Sequence, residues 1–235
     1  FQCIGGMDKA VERIILTASG GPFLNASVKA MESATPKQAM AHPNWDMGQR
    51  ISIDSASMFN KAMEVLETNV LFDVKTEQIE VIVHPQSIIH SMVGFVDGAI
   101  MAHLGPPDMR SPIGYALNWP ARVDLPVERV NFSALGELTF QAPDTGRFPS
   151  LALAQQAMEM GGLAGAALNA GKEAALDMFL ARDIGFLDMA RVVQSVLDQI
   201  DADKNGHVTV EAVIDMNIKA RKISMEAVKD GLRNN

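Results

Sequence analysis

Ile14-Ile15-Leu16-Thr17-Ala18-Ser19-Gly20-Gly21-Pro22 is the stretch that decides the fold. A short β-rich run stops at a cluster of small turn residues, the pattern of a strand feeding a loop. Ile79 to Val83 and Ser87 to Val93 repeat the strand signal, and Asp97-Gly98 marks a hairpin turn into Ala99 to Leu104. Helical signals are interleaved with these. Thr35-Pro36-Lys37-Gln38 is a capping box with proline at the first helical position. Asp54 or Ser55 can cap a helix running through Met63 and Leu66 to Leu71, and Ser111-Pro112 opens another that ends before Pro120.

Beyond residue 150 the character changes to all helix. Met189, Val192, Val193, Val196, Leu197 and Ile200 recur at i, i+3, i+4, i+7 and form one apolar stripe. Val210, Val213, Ile214 and Ile218 suggest a second stripe, and Leu163 to Ala181 reads as a central buried helix. The expected architecture is an α/β (α+β) domain with a mostly antiparallel or mixed sheet over 1–120. A linker follows over 121–149, then an all-α helical bundle over 150–235.

Composition narrows the function. With 48% hydrophobic and 20% charged residues, the 235-residue chain is globular rather than disordered or collagen-like. A net charge of −8 without a Lys/Arg stripe argues against nucleic acid or an anionic membrane as partner. Asn169, Lys172, Glu173 and Asp177 interrupt the longest apolar stretch, so no run reaches the ~18 residues of a membrane helix. Cys3 is the single cysteine, which excludes an internal disulfide and fits a reducing compartment.

Several motifs carry chemistry. Ser19-Gly20-Gly21-Pro22 can offer N–H groups and a hydroxyl to a phosphate, or serve as a plain turn. Asn60, Lys61 and Glu64 lie on one helix at i, i+1 and i+4. Spacing alone makes them a solvated, ion-paired face; the functional alternative is a phosphate-binding Asn-Lys pair beside a metal-binding carboxylate. His42-Pro-Asn-Trp-Asp-Met-Gly48 reads equally as a ligand-covering loop or a loop anchored by its tryptophan. His84 and His90 read as hydrogen-bonded structural histidines. Asp201-Ala-Asp203-Lys-Asn205-Gly206 opens like a calcium loop, but Ala212 stands where the bidentate Glu belongs and Glu211 is one residue early, which favours an ordinary turn.

Together these segments resemble the 1-deoxy-D-xylulose 5-phosphate reductoisomerase family. The matching runs are Leu16-Thr-Ala-Ser-Gly-Gly-Pro-Phe23, His42 to Gly48, Ile53-Asp-Ser-Ala-Ser57, Asn60-Lys61 with Glu64, Val83-His-Pro-Gln-Ser-Ile-Ile-His-Ser91 and Leu104-Gly-Pro-Pro-Asp-Met-Arg-Ser-Pro112. Leu138-Thr-Phe, Pro143-Asp, Arg147-Phe-Pro149 and Ile184-Gly-Phe-Leu-Asp188 extend the match over nearly the whole chain. The resemblance implies rearrangement of 1-deoxy-D-xylulose 5-phosphate and NADPH-dependent reduction to 2-C-methyl-D-erythritol 4-phosphate. It further implies Mg²⁺ or Mn²⁺, a cytoplasmic homodimer and a role in non-mevalonate isoprenoid synthesis.

By position, the resemblance assigns Ser19, Ser55, Asn60 and Lys61 to the substrate phosphate and His42 and Trp45 to a mobile covering loop. Glu64 becomes a metal ligand, Gly48 and Met109 neighbours of the nicotinamide, and His90 a residue near the site. Glu64, Lys61 and His42 are the expected catalytic residues. Leu24 replaces a common arginine, Arg50 a usual lysine, Ser57 a usual threonine, and Gly171-Lys172 a usual Ala-Asn. The family's NADPH-binding domain and an Asp-Ser-Glu pair of metal carboxylates are expected before the point matching Phe1. The rival readings are a non-catalytic oligomerisation or binding fragment, and a calcium-binding helical module over Asp201 to Glu211.

Overall fold

A computed structural model describes residues 1–6, 8–45, 47–202 and 208–232. In chain order it contains β1 (Val11–Ala18), α1 (Val28–Glu32), α2 (Pro36–Ala39), α3 (Gln49–Ala56) and α4 (Phe59–Phe72). Then come β2 (Ile79–Val83), β3 (Ile89–Phe95), β4 (Ile100–Leu104), α5 (Arg110–Asn118) and α6 (Phe132–Leu135). Four longer helices close the list: α7 (Ser150–Met160), α8 (Ala164–Ala181), α9 (Asp188–Gln199) and α10 (Val210–Ala227). The chain is thus an α/β part followed by a helical part. Contacts divide it into two compact units, one of residues 1–19 and 77–143, the other of residues 20–76 and 144–235. These units cut across the linear division at 120 and 150, because the excursion between β1 and β2 packs with the later helices.

The first unit is built on a mixed sheet of order β2-β1-β3-β4. β1 pairs parallel to β2 and antiparallel to β3, and β3 pairs antiparallel to β4. The continuous apolar run Ile14, Ile15, Leu16 and Ala18 is buried, as befits a strand flanked on both edges. The Asp97-Gly98 hairpin forms as its sequence predicts, with Gly98 at φ +85° and the Asp97 carboxylate accepting from the Ala99 N–H at 2.9 Å. Residues 139–141 of the expected linker are tied to the outer edge of β2. Val83 and Gln141 exchange backbone bonds of 2.8 and 3.0 Å. The fully buried His84 bridges the same segment. Its Nε2 accepts from the Ile88 N–H, so Nδ1 carries the proton and donates to the Thr139 carbonyl at 2.9 Å. This is the structural histidine expected from sequence.

The second unit is helical. The stripe Met189, Val192, Val193, Val196 and Leu197 of α9 is buried as predicted, against an α8 rich in alanine, while Ile200 falls at the extended C-cap and is only half-buried. Gly171 permits that approach: a Cβ there would stand 3.2 Å from a Val196 methyl. Two helix readings are corrected. Asp54 and Ser55 do not cap a helix; they lie inside α3, which starts after Gly48 and ends at Ser57. The chain breaks at Met58 (φ +63°) before α4 begins. Most of the predicted stripe of α10 also faces away from the core, with only Val213 of its four residues half-buried. Val210, Ile214 and Ile218 are 72, 53 and 63% exposed, whereas Met216, Ala220 and Ile223 join Ala167, Ala170 and Val196 in the core. The shallow alanine surface of α8 accepts the small Ala220 face more closely than a face of isoleucines.

This orientation is testable in a denaturant melt. Ile218→Lys should change stability by less than about 0.5 kcal/mol, and Ile223→Ala should cost about 2–4 kcal/mol. The reverse ranking would restore the orientation read from the sequence.

Candidate active site

The break between α3 and α4 shapes the candidate site. Two helices meet at Ser57–Met58, and their ends are held by neighbours rather than by local preference. Ser150, at the start of α7 and fully buried, donates its hydroxyl to the Ser57 carbonyl at 2.8 Å. Gly21 (φ +62°) backs onto the last turn of α3: a Cβ there would lie 2.9 Å from the Ala56 Cα and 3.0 Å from the Ser55 carbonyl oxygen. Only glycine suits both the left-handed backbone and that approach. Arg147 fixes the chain after this turn, donating to the Leu24 and Ala26 carbonyls at 3.0 and 2.8 Å while Asp144 holds its Nε at 2.8 Å. Sequence reasoning noted Arg147 only as a matching residue; no local signal shows that it braces the turn.

α4 starts without a side-chain cap, so its first turn offers N–H groups and the positive end of its dipole. Asn60 and Lys61 stand in that turn. Asn60 Nδ2 donates to Glu64 Oε1 at 2.8 Å, and Lys61 Nζ donates to Glu64 Oε2 at 2.5 Å. The three residues singled out by spacing therefore form one cluster, with Lys61 only 9% exposed. Each oxygen of the carboxylate has one donor. A stronger anion that takes both donors leaves the carboxylate open to another partner. Ser55, half-buried, lies in the last turn of α3.

The loop before α3 is organised by His42. Its Nδ1 accepts from the Asn44 and Trp45 backbone N–H groups at 3.1 and 3.0 Å. Burial holds this imidazole below its ordinary value of 6.5, and the two donors need its unprotonated nitrogen. Gly48 is the exposed N-cap of α3.

The remaining expected site residues, Ser19, His90 and Met109, belong to the first unit. Ser19 follows β1 directly. His90 on β3 lies 3.1 and 3.2 Å from the Gly105 and Pro106 carbonyls, and Met109 caps α5 with 57% of its surface exposed. The calcium-like motif reaches residues 203–207, which lie outside the described residues. Its last member, Glu211, is in the first turn of α10, which Thr209 caps by accepting from the Ala212 N–H at 3.2 Å.

Two family descriptions match this chain. The DXP reductoisomerase C-terminal domain covers residues 104–223, and the 1-deoxy-D-xylulose 5-phosphate reductoisomerase C-terminal domain covers residues 1–72. The chain belongs to the 1-deoxy-D-xylulose 5-phosphate reductoisomerase family. The Ruegeria pomeroyi reductoisomerase is 60% identical over 86% of this chain and 52% of its own length. That of Cereibacter sphaeroides is 56% identical over 97% of this chain and 59% of its own. The Zymomonas mobilis enzyme in complex with NADPH superposes with a TM-score of 0.89 at 43% identity, over 97% of this chain and 59% of that one. A reductoisomerase in complex with NADPH, fosmidomycin and magnesium gives 0.91 at 42%, over 97 and 58%. The chain thus spans a little over half the length of these relatives.

The reductoisomerase resemblance drawn from the motifs therefore holds, and so does the fold class. Among the described residues, no three His, Cys, Asp or Glu side chains gather to hold an ion, and a hard divalent cation needs more oxygen ligands than Glu64 supplies. Gly48 and Met109 do not make a dinucleotide site by themselves either, and no G-x-G-x-x-G occurs in the sequence.

Two outcomes are expected. Gly21→Ala should destabilise the fold by about 1–3 kcal/mol in a thermal melt, because both its backbone and its Cβ are strained; wild-type stability would contradict the close approach to α3. The His42 pKa is depressed on folding, so its contribution is present above 6.5 and lost as pH falls through the folded value. In a Trp119→Phe background, Trp45 fluorescence should titrate with a midpoint below 6.5, and a midpoint above it would contradict a neutral, accepting His42.

Proposed function

We propose that this chain is the substrate-phosphate-binding and helical part of a reductoisomerase. The complete enzyme converts 1-deoxy-D-xylulose 5-phosphate to 2-C-methyl-D-erythritol 4-phosphate with NADPH and Mg²⁺ or Mn²⁺, in non-mevalonate isoprenoid synthesis. The observation that carries this reading is the Asn60–Lys61–Glu64 cluster on the uncapped first turn of α4. A phosphate dianion wants an ammonium, an amide and hydroxyls, and the positive end of a helix. Lys61 and Asn60 supply the first two, Ser55 and Ser19 the hydroxyls, and α4 the dipole.

On this reading, substrate binding exchanges partners. The phosphate takes the Lys61 and Asn60 donors, and Glu64 is released to serve as one ligand of the metal. Further carboxylates would then have to come from elsewhere in the complete enzyme, and a metal held with Glu64 would supply charge stabilisation at the substrate oxygens. His42 and Trp45 close over the substrate and exclude water from a reactive aldehyde. Gly48 and Met109 border the nicotinamide. His90 stays close to the site as a structural neighbour. The fosmidomycin and magnesium named for one structural relative fit a site for a phosphorylated ligand beside a cation.

A cytoplasmic homodimer completes the proposal. No described helix is long and apolar enough to cross a membrane. The rival of a non-catalytic binding fragment draws on one observation: among the described residues no three metal-ligating side chains gather beside Glu64.

Two variants of the complete enzyme test the assignment. Lys61→Ala should raise KM for the phosphorylated substrate and weaken phosphonate inhibitors about 10- to 100-fold, the loss of one charge-assisted hydrogen bond. Unchanged values would move the phosphate elsewhere. Glu64→Ala should abolish metal-dependent turnover, and near-normal activity at low Mn²⁺ would remove it from the ligand set.

A further inference from the structure

Lys172 lies in the middle of α8 with its side chain 6% exposed, between the buried Ala170 and Ala174. Its Nζ donates to Asp54 Oδ2 on α3 at 2.9 Å and also to its neighbour Glu173. Glu173 in turn accepts from Arg50, in the first turn of α3, and Arg50 also reaches Asp177 Oδ1 at 2.6 Å. Asp177 is 3.6 Å from Arg221 on α10. Arg50 and Asp54 are four residues apart and so share one face of α3. That face is bound to one face of α8 at both of its ends.

Stability does not account for this arrangement. Burying paired charges typically brings no net gain over apolar residues of the same size. Here the burial is incompletely compensated, since Asp54 Oδ1 has no hydrogen-bond partner. Burial pushes the Asp54 carboxyl above its usual range against the pull of Lys172. What directed bonds supply and an apolar contact does not is a fixed rotation of α3 about its axis. Ser55 is the next residue along that helix, about 100° around from Asp54. The rotation therefore sets where its hydroxyl points, and Arg50 likewise anchors the segment that emerges from the His42–Gly48 loop.

We propose that Lys172 is a positioning residue for the phosphate end of the site: through Asp54 it fixes the rotation of α3 and thereby the aim of Ser55. This rests on the reading of Ser55, Asn60 and Lys61 as the phosphate-binding set.

The test is steady-state kinetics and thermal melting of the complete enzyme carrying Lys172→Met, Lys172→Arg, or Asp54→Asn together with Lys172→Met, with Lys61→Ala as control. Lys172→Met should raise KM for the phosphorylated substrate about tenfold with kcat within about twofold. Lys172→Arg should keep KM within about threefold, because it keeps a directed donor. The neutral pair Asp54→Asn/Lys172→Met removes the unpaired buried charge, so it should recover thermal stability while KM stays raised. That pair also serves if Lys172→Met alone does not fold. If the neutral pair restores KM along with stability, or if KM never moves, Lys172 is only structural and the proposal falls. If Lys61→Ala leaves KM unchanged, the phosphate reading itself fails and the proposal falls with it.

Discussion

Met58, buried and left-handed, interrupts what would otherwise be one helix from Gln49 to Phe72. A non-glycine residue in that conformation costs about 1–2 kcal/mol. The surroundings impose it. Ser150 satisfies the Ser57 carbonyl at the break, and the Gly21 turn closes against Ser55 and Ala56. The consequence is chemical. The break gives α4 a free, positive start at which Asn60 and Lys61 stand, and it places Ser55 on a separate helix whose orientation can be set independently.

That independence explains the charge network between α3 and α8, in which Lys172 and Asp54 are buried. α3 is eight residues long, too short to hold its own orientation by packing along its length. Arg50 and Asp54 bind it to Glu173, Asp177 and Lys172 on the eighteen-residue α8, whose other faces are packed against α9 and α10. A long, alanine-rich helix thus acts as the rigid reference for a short one. The alanines matter for the same reason: they let α9 and α10 approach closely, so α8 has little freedom to move.

Much of this was legible in the sequence where the signal is local. The Thr35 capping box forms with both of its bonds, the Asp97-Gly98 hairpin closes, and the α9 stripe is buried from Met189 to Leu197, with Ile200 only half-buried at the C-cap. The Asn60, Lys61 and Glu64 cluster was legible from helical spacing once a helix was placed there. What escaped depends on partners distant in sequence. Asp54 and Ser55 looked like caps because the break at Met58 is imposed by residues 21 and 150. The α10 stripe was misread because hydrophobicity favours Val210, Ile214 and Ile218, whereas the partner surface selects Ala220. Arg50 and Gly171-Lys172 stood out as departures from the family pattern, and only the fold shows that Arg50 and Lys172 share one charge network while Gly171 meets Val196.

The central proposal is that this chain holds the phosphate-recognising donors of the reductoisomerase site, while its described residues gather no complete set of metal donors. Calorimetric titration of the 235-residue chain with a small phosphonate, with and without Mg²⁺, tests it most directly. The account predicts weak binding whose affinity Mg²⁺ leaves unchanged and Lys61→Ala abolishes. Binding that appears only with Mg²⁺, or that survives Lys61→Ala, would contradict it.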